Sequence, residues 1–319
     1  MRRLNLILLA IATVFLVWML NEVGWAKLGR HILQVGYYWP LLLLPYGLVN
    51  YLGALSWKYL LLTRETIPSI RRLFFLRLGG EALNQLTPTA SMGGEPFKVA
   101  RLQAAGVPWE EAAASVVIQK GILVMSLVCY IFLALALVPF ILPESASHLG
   151  LLCLGALVLG GAGLAFVILQ SRGPCAWGIN LLKKWGLCPA MLQAKEKELV
   201  DLDACLAGFY RQYPGRGLLA FFLFFLSWLL HGVEVYLIFW LLGNPISWGL
   251  ALCLDALAML FAGLGFMIPA AIGVQEGGNI LLSLGFSLGA ALGAAFSILR
   301  RLREAFWLSL GLLVAAREK

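Results

Sequence analysis

The sequence predicts an all-α fold: a polytopic transmembrane helix bundle of two inverted repeats, each containing a re-entrant broken-helix pair. Three observations predict it: the apolar balance of the chain, a polar motif that recurs at a fixed offset, and the one-sided placement of lysine and arginine. Of 319 residues, 61% are hydrophobic and only 13% charged, with a mean hydropathy of +0.88. A soluble domain carries about 45–50% apolar and about 25% charged residues. That balance defines a polytopic membrane protein.

Apolar runs long enough to cross the hydrocarbon core occur at Leu4–Val23, Tyr37–Leu62, Trp109–Leu137, Leu149–Gln170, Leu218–Leu242 and Leu288–Ala316. Arg2 and Arg3 resemble the basic start of a signal peptide. No small-residue cleavage site follows, so the first run is expected to be an uncleaved anchor. Two further stretches, 71–106 and 249–287, are apolar overall but interrupted by Gly, Pro, Asn, Gln and Glu. The expected organisation is one transmembrane domain, 1–319. It has a first half, 1–140, and a second half, 149–319, with amphipathic surface helices in the loop 171–216. Cys129, Cys153 and Cys253 lie in apolar runs, Cys175, Cys188 and Cys205 in that loop. None has metal-ligand spacing, and no disulfide framework is expected.

Loop cations set the orientation. With a cytoplasmic N-terminus, that side receives seventeen of the 24 lysines and arginines: Arg2 and Arg3; Arg64, Arg71, Arg72 and Arg77; Lys98 and Arg101; seven between Arg172 and Arg216; and Arg317 with Lys319. The opposite side receives Lys27 and Arg30, and five fall inside apolar runs. The net charge of +8 is thereby explained without nucleic acid, and the basic face is expected to attract anionic lipids. Both ends of 71–106 then want the cytoplasm, so that stretch should dip in and return. Stretch 249–287 must start and finish outside if the last span ends at Arg317. The alternative, one full span in 249–287 followed by a longer final one, would move the C-terminus outside.

The motif gives the same picture independently. Pro88-Thr89-Ala90-Ser91-Met92-Gly93-Gly94-Glu95 is followed 25 residues later by Lys120, and Pro269-Ala270-Ala271-Ile272-Gly273-Val274-Gln275-Glu276 is followed 25 residues later by Arg301. The 181-residue offset also aligns Ala113-Ala114 with Ala294-Ala295. Repeated breakers, small residues, an acid and a distant cation suggest a duplicated broken-helix core. Pro88 and Pro269 should disrupt the preceding turn, while Gly93, Gly94, Gly273, Gly277 and Gly278 should act as hinges permitting tight reversal. The half-helices that follow would direct free N–H groups toward the centre.

Buried ions are the candidate site. Lys120 and the Arg300, Arg301, Arg303 cluster cost roughly 2.5–3.5 kcal/mol each at a bilayer centre, so they should pair or hold a ligand. Arg300 and Glu304 are spaced to neutralise each other on one helix. That leaves Lys120 and Arg301 to meet Glu95 and Glu276. Asn84 and Gln85 could satisfy carbonyls freed by Pro88, and Lys58 is placed to snorkel. His231 and Glu234 share a helical face, and Asp255 could cap or pair. No metal site, cofactor motif, P-loop or hydrolase signature is present in the sequence, and no enzymatic activity is expected.

Gly93-Gly94-Glu95-Pro96-Phe97-Lys98 and Gly273-Val274-Gln275-Glu276-Gly277-Gly278 resemble the paired motifs of the flippase-like superfamily typified by the transmembrane region of lysylphosphatidylglycerol synthases. The second motif is most similar to members encoded with hopanoid biosynthesis. The resemblance covers about 5 to 316 and implies movement of amphiphilic lipids between leaflets, or a place in lipid-linked sugar pathways. Carried over residue by residue, the resemblance places the family's GGE element on Gly93, Gly94 and Glu95, its second glutamate on Glu276 and its basic site on Arg300 and Arg301. Together with Asn84, Lys98, Lys120 and Gln275 from the motifs and the polar residues around them, Glu95, Glu276, Arg300 and Arg301 are the expected substrate-binding residues. Many relatives carry an acid near Lys120, where this chain has Gln119-Lys120, so a partner assigned there by analogy is not carried over. The resemblance also leaves the soluble aminoacyl-transferring domain outside these residues, and lysyl transfer is expected to reside elsewhere. The expected function is a lipid translocase of a bacterial cytoplasmic membrane, with both termini cytoplasmic. Its expected partners are a lipid substrate and lipid-biosynthesis enzymes. The rival readings are an integral-membrane enzyme acting on a lipid headgroup and a non-transporting partner of a lipid-synthesis complex.

Overall fold

The computed structural model describes residues 33–62, 68–87, 92–141, 196–265 and 268–317, with residues 29, 30 and isolated positions within 154–185. All regular structure among the described residues is helical. After a 3-10 segment, Gly36–Leu42, the helices are α1 (Leu43–Leu60), α2 (Ile70–Leu86), α3 (Glu95–Gln103), α4 (Trp109–Ile141) and α5 (Glu196–Gln212). They continue with α6 (Pro214–Leu241), α7 (Trp248–Leu264), α8 (Val274–Gly285) and α9 (Ala290–Arg317). The run Leu4–Val23, most of Leu149–Gln170 and Pro88 lie outside the described residues.

Length and composition separate two kinds of helix. α4, with 33 residues, and α6, with 28, are long and apolar enough to cross a membrane. At 1.5 Å per residue they run about 50 and 40 Å, beyond the ~30 Å hydrocarbon core. α2 and α7 have 17 residues each. Both fall short at about 26 Å, and each ends in a non-helical break before a shorter helix, α3 or α8. The expected second span, Tyr37–Leu62, is divided at Leu43 because its start, carrying Pro40, winds as the 3-10 segment. Ser69 caps α2 by accepting from Arg72 N–H at 3.3 Å, and Ser247 caps α7 by accepting from Leu250 N–H at 3.2 Å.

α1 packs most extensively on α6, and α4 on both α6 and α7. α9 runs against α2 and α8, while α3 lies against α4. Exchanging the halves, α1–α4 for α6–α9, turns α2·α9 into α7·α4 and α3·α4 into α8·α9, and all four contacts exist. The largest apolar core joins α4, α6, α7, α8 and α9 around Tyr130, Phe239, Leu254 and Phe296, and a second joins α1 to α2, α3 and α4 around Trp57 and Leu76. Polar seams pin the pairs. Trp57 Nε1–H donates to Ser115 Oγ at 3.2 Å, Ser56 Oγ–H to the Ala220 carbonyl at 3.2 Å, and Trp228 Nε1–H to Ser126 Oγ at 3.1 Å. α5, in the loop expected to carry amphipathic helices, buries Leu202, Leu206 and Phe209 against α4 and α6. Lys58 is exposed.

Candidate functional site

The first break turns on backbone contact. Gly94, the N-cap of α3, lies so close to α2 that a Cβ there would stand 1.9 Å from the Gly80 carbonyl oxygen. Its φ is −89°, so close approach, rather than an unusual dihedral, demands glycine. Asn84 supplies the joint, with Oδ1 accepting from Gly94 N–H at 2.7 Å and Nδ2–H donating to Glu95 Oε1 at 3.0 Å. Its amide therefore serves the start of the following half-helix, not carbonyls freed before Pro88.

The second break is built differently. Ala270, Ala271 and Gly273 take positive φ values of 53°, 47° and 83°, and Gly273 N–H donates to Glu276 Oε2 at 2.7 Å, which caps α8. Gly277 and Gly278 are not hinges. Both are helical and buried within α8, and a Cβ on Gly278 would stand 2.5 Å from Phe261. Reversal is completed by Gly273, before the helix starts; Pro269 opens the short 3-10 turn, and Gly93 lies in the turn before α3.

Around these breaks the interior is ionised. Lys98 Nζ is 2.9 Å from Glu81 Oε1 and 3.2 Å from Glu95 Oε2, and Lys120 Nζ is 3.3 Å from Glu95 Oε1. On the other side Arg301 Nε donates to Glu276 Oε1, and its Nη1 lies 2.7 Å from Glu304 Oε2. Arg300 pairs with Asp255, whose Oδ2 also accepts from Tyr130 O–H at 3.2 Å. Arg303 holds Glu234 Oε1 with Nη2 at 2.8 Å and Nε at 2.9 Å, and lies 4.0 Å over the Tyr46 ring.

Two expectations are corrected by this arrangement. Glu304 neutralises Arg301, because Asp255 on α7 reaches Arg300 first. Arg77 and Lys98, counted as loop cations, are buried at 8% and 1% exposure. Arg77 fits because Gly53 leaves room where a Cβ would meet its Cζ at 2.4 Å, and Lys98 because two carboxylates receive it. His231 and Glu234, which share a helical face, do come within 3.9 Å, Nδ1 to Oε2, while Arg303 holds Glu234 Oε1.

Glu81 belongs to this cluster, and its signal in the sequence is an acid in an apolar stretch, next to Gly79-Gly80 and three residues before Asn84. Arg77, Asp255 and Glu234, none of them among the expected substrate residues, join it as well.

The ions border two cavities that share Gln85, Met259, Ala262, Gln275 and Glu304. One, about 330 Å³, is faced by Asn84, Thr87, Ala270, Ala271 and Arg301. The other, about 250 Å³, is faced by Tyr46, Asn50, Arg77, Glu81, His231, Arg300 and Arg303. Of the expected substrate residues, Asn84, Gln275, Arg300 and Arg301 border a cavity. Glu95, Lys98, Lys120 and Glu276 are not among the lining residues and are reached through their partners.

A helical bundle with spanning helices, broken helices and an ionised, cavity-bearing interior defines a multi-pass membrane protein. The chain belongs to the family described as lysylphosphatidylglycerol synthase TM region, whose profile matches residues 5–311. No curated protein and no solved structure matches it. Family membership assigns it to membrane proteins with lipid-related roles.

Proposed function

We propose that the protein is a lipid translocase that carries an amphiphilic lipid between leaflets by alternating access, rather than an enzyme. The observation that carries this reading is the pair of cavities with a shared wall, one of them lined from both breaks by Thr87 and by Ala270 with Ala271. Side chains from both halves face it: Asn84 and Gln85 from α2, Gln275 from α8, Arg301 and Glu304 from α9. Non-helical backbone at membrane depth is tolerated where it lines such a cavity. The headgroup would occupy this polar space while the tails remain in lipid.

The exchange symmetry of the helix contacts, and breaks at both Gly94 and Gly273, support two inverted repeats with re-entrant pairs α2–α3 and α7–α8. Moving Arg77 and Lys98 inside leaves fifteen cytoplasmic cations against two, which still favours cytoplasmic termini in a bacterial inner membrane. The remaining basic loops would bind anionic lipid at that face. Purified protein in vesicles, with fluorescent lipid analogues quenched from outside, tests the reading. Translocation predicts protein-dependent loss of the protected inner-leaflet fraction, and vesicles that keep it refute transport.

A further inference from the structure

Ion pairing among the described residues leaves two opposite imbalances on one cavity. Asp255 neutralises Arg300, Glu234 neutralises Arg303, and Lys98 with Lys120 balances Glu81 with Glu95. Arg301 is the close cation of both Glu276 and Glu304, and with Arg303 already committed to Glu234 the count leaves one excess negative charge. Glu304 Oε1 has only Arg303 Nη2, at 4.0 Å. Arg77 carries the excess positive charge. It is buried, with no carboxylate within 4.0 Å among the described residues. Its Nη1–H donates to the neutral Asn50 Oδ1 at 2.8 Å, and its Nε–H has no acceptor. Arg300 Nε and Nη1 likewise lack acceptors. Arg77, Arg300 and Glu304 all face the 250 Å³ cavity. Glu81, one turn along α2 and on the same cavity, interacts with Arg77 only beyond 4.0 Å and is held by Lys98. A buried guanidinium with no direct ion pair is costly, and an oxyanion supplies both a close charge and the missing acceptors.

We propose that this cavity binds a zwitterionic phosphodiester headgroup, with its phosphate at Arg77 and the free N–H groups of Arg300, and its ammonium at Glu304. The proposal rests on the translocation reading only in naming a membrane lipid as the source. Binding is measured without any leaflet exchange, so the two fail separately. A net-neutral headgroup matches the balanced charge of the whole cluster. An anionic phosphodiester would meet Glu304 with no cation to offer it.

The test uses the full chain in a neutral maltoside detergent, with melting temperature and native mass spectrometry as readouts. The probes are short-chain phosphatidylethanolamine, short-chain phosphatidylglycerol, short-chain diacylglycerol and the tail-free headgroup glycerophosphoethanolamine. Phosphatidylethanolamine should bind and raise the melting temperature, with the anionic lipid and diacylglycerol at least ~10-fold weaker, the worth of one charge-assisted contact. If glycerophosphoethanolamine alone saturates the shift, the same site reads a soluble headgroup, and the assignment of its chemistry stands. Arg77→Gln should lose the shift without lowering the ligand-free melting temperature, because it breaks no direct ion pair and its amide can still donate toward Asn50. Glu304→Gln should reverse the preference toward phosphatidylglycerol, which a structural role for Glu304 does not predict. Equal binding of the zwitterionic and anionic lipids by the wild type, or an unchanged preference in Glu304→Gln, overturns the proposal. If Arg77→Gln does not fold, Arg77→Lys keeps the charge but loses the fork, and unaltered affinity there overturns the guanidinium contact.

Discussion

Lys120 Nζ lies 3.3 Å from Glu95 Oε1, and Arg301 stands to Glu276 as Lys120 does to Glu95, 25 residues on in each case. Both pairs join the start of a half-helix to the long helix that follows it. In the proposed translocation cycle, opening a cavity to one leaflet would move such half-helices relative to their neighbours, which places the pairs where that change would be felt. Glu276→Gln and Arg301→Ala should therefore reduce leaflet exchange about 10-fold or more, the cost of one hydrogen bond to a charged group. Stability should change little in Glu276→Gln, because the introduced side-chain oxygen would still accept from Gly273 N–H and the Arg301 side chain, a quarter exposed, borders a cavity where water can reach it. Arg301→Ala leaves the buried Glu276 and its neighbour Glu304 without their close cation and should melt lower. Normal exchange in both variants, measured with melting temperature on the same samples, would remove this pair from the working site.

Asp255 and Arg300 should behave in the opposite way. Their side chains are 0% and 2% exposed, and losing Asp255 also strands the Tyr130 hydroxyl. Breaking a buried pair by removing one partner costs about 3–5 kcal/mol. Asp255→Ala should therefore lower the melting temperature far more than Glu276→Gln does. Replacing both residues by apolar side chains, Asp255→Leu with Arg300→Met, should restore most of the loss. A double variant no more stable than Asp255→Ala contradicts a structural pair.

The sequence made the membrane class, the helical content and the 25-residue acid–cation offsets legible, because composition and spacing survive without coordinates. It misplaced Arg77 and Lys98, because a positive-inside count cannot see that Gly53 opens a slot or that Glu81 and Glu95 receive an ammonium. It assigned Gly277 and Gly278 to a hinge because glycine pairs punctuate loops. Here Phe261 packs where a Gly278 side chain would be, and two alanines at positive φ share the turn with Gly273. Arg300 was given its near neighbour Glu304, whereas its partner comes from another helix. Pairings between elements are what spacing along one helix leaves out.

Gly94 tests the first break directly. A methyl group there meets backbone at 1.9 Å, which no rotamer change relieves. α3 would have to shift, losing the Asn84 bond to Gly94 N–H. Gly94→Ala should cost about 3 kcal/mol, the upper range for overpacking, and depress lipid exchange with it. Gly285→Ala, where nothing lies within 4 Å of the added carbon, is the matched control and should melt like the wild type. Equal melting temperatures for the two variants would show that α3 is not seated against Gly80.

The proposed inverted arrangement makes a topological prediction. If α2–α3 enters from the cytoplasm and α7–α8 from outside, the exposed C-terminal ends of α3 and α8 lie on opposite faces. Gln103 and Gly285 are exposed at those ends, whereas Lys98 is too buried to report. Cysteines introduced as Gln103→Cys and Gly285→Cys, in a background lacking the native cysteines, should react with a membrane-impermeant maleimide from opposite sides. In right-side-out vesicles only Gly285→Cys should label, and Gln103→Cys should label only after lysis. The count of fifteen cations against two predicts which face is which, and the α2·α9 and α7·α4 contacts fit the proposed exchange of the halves. Labelling of both from one side would mean that one of α2–α3 and α7–α8 crosses fully, and the inverted-repeat reading would fall.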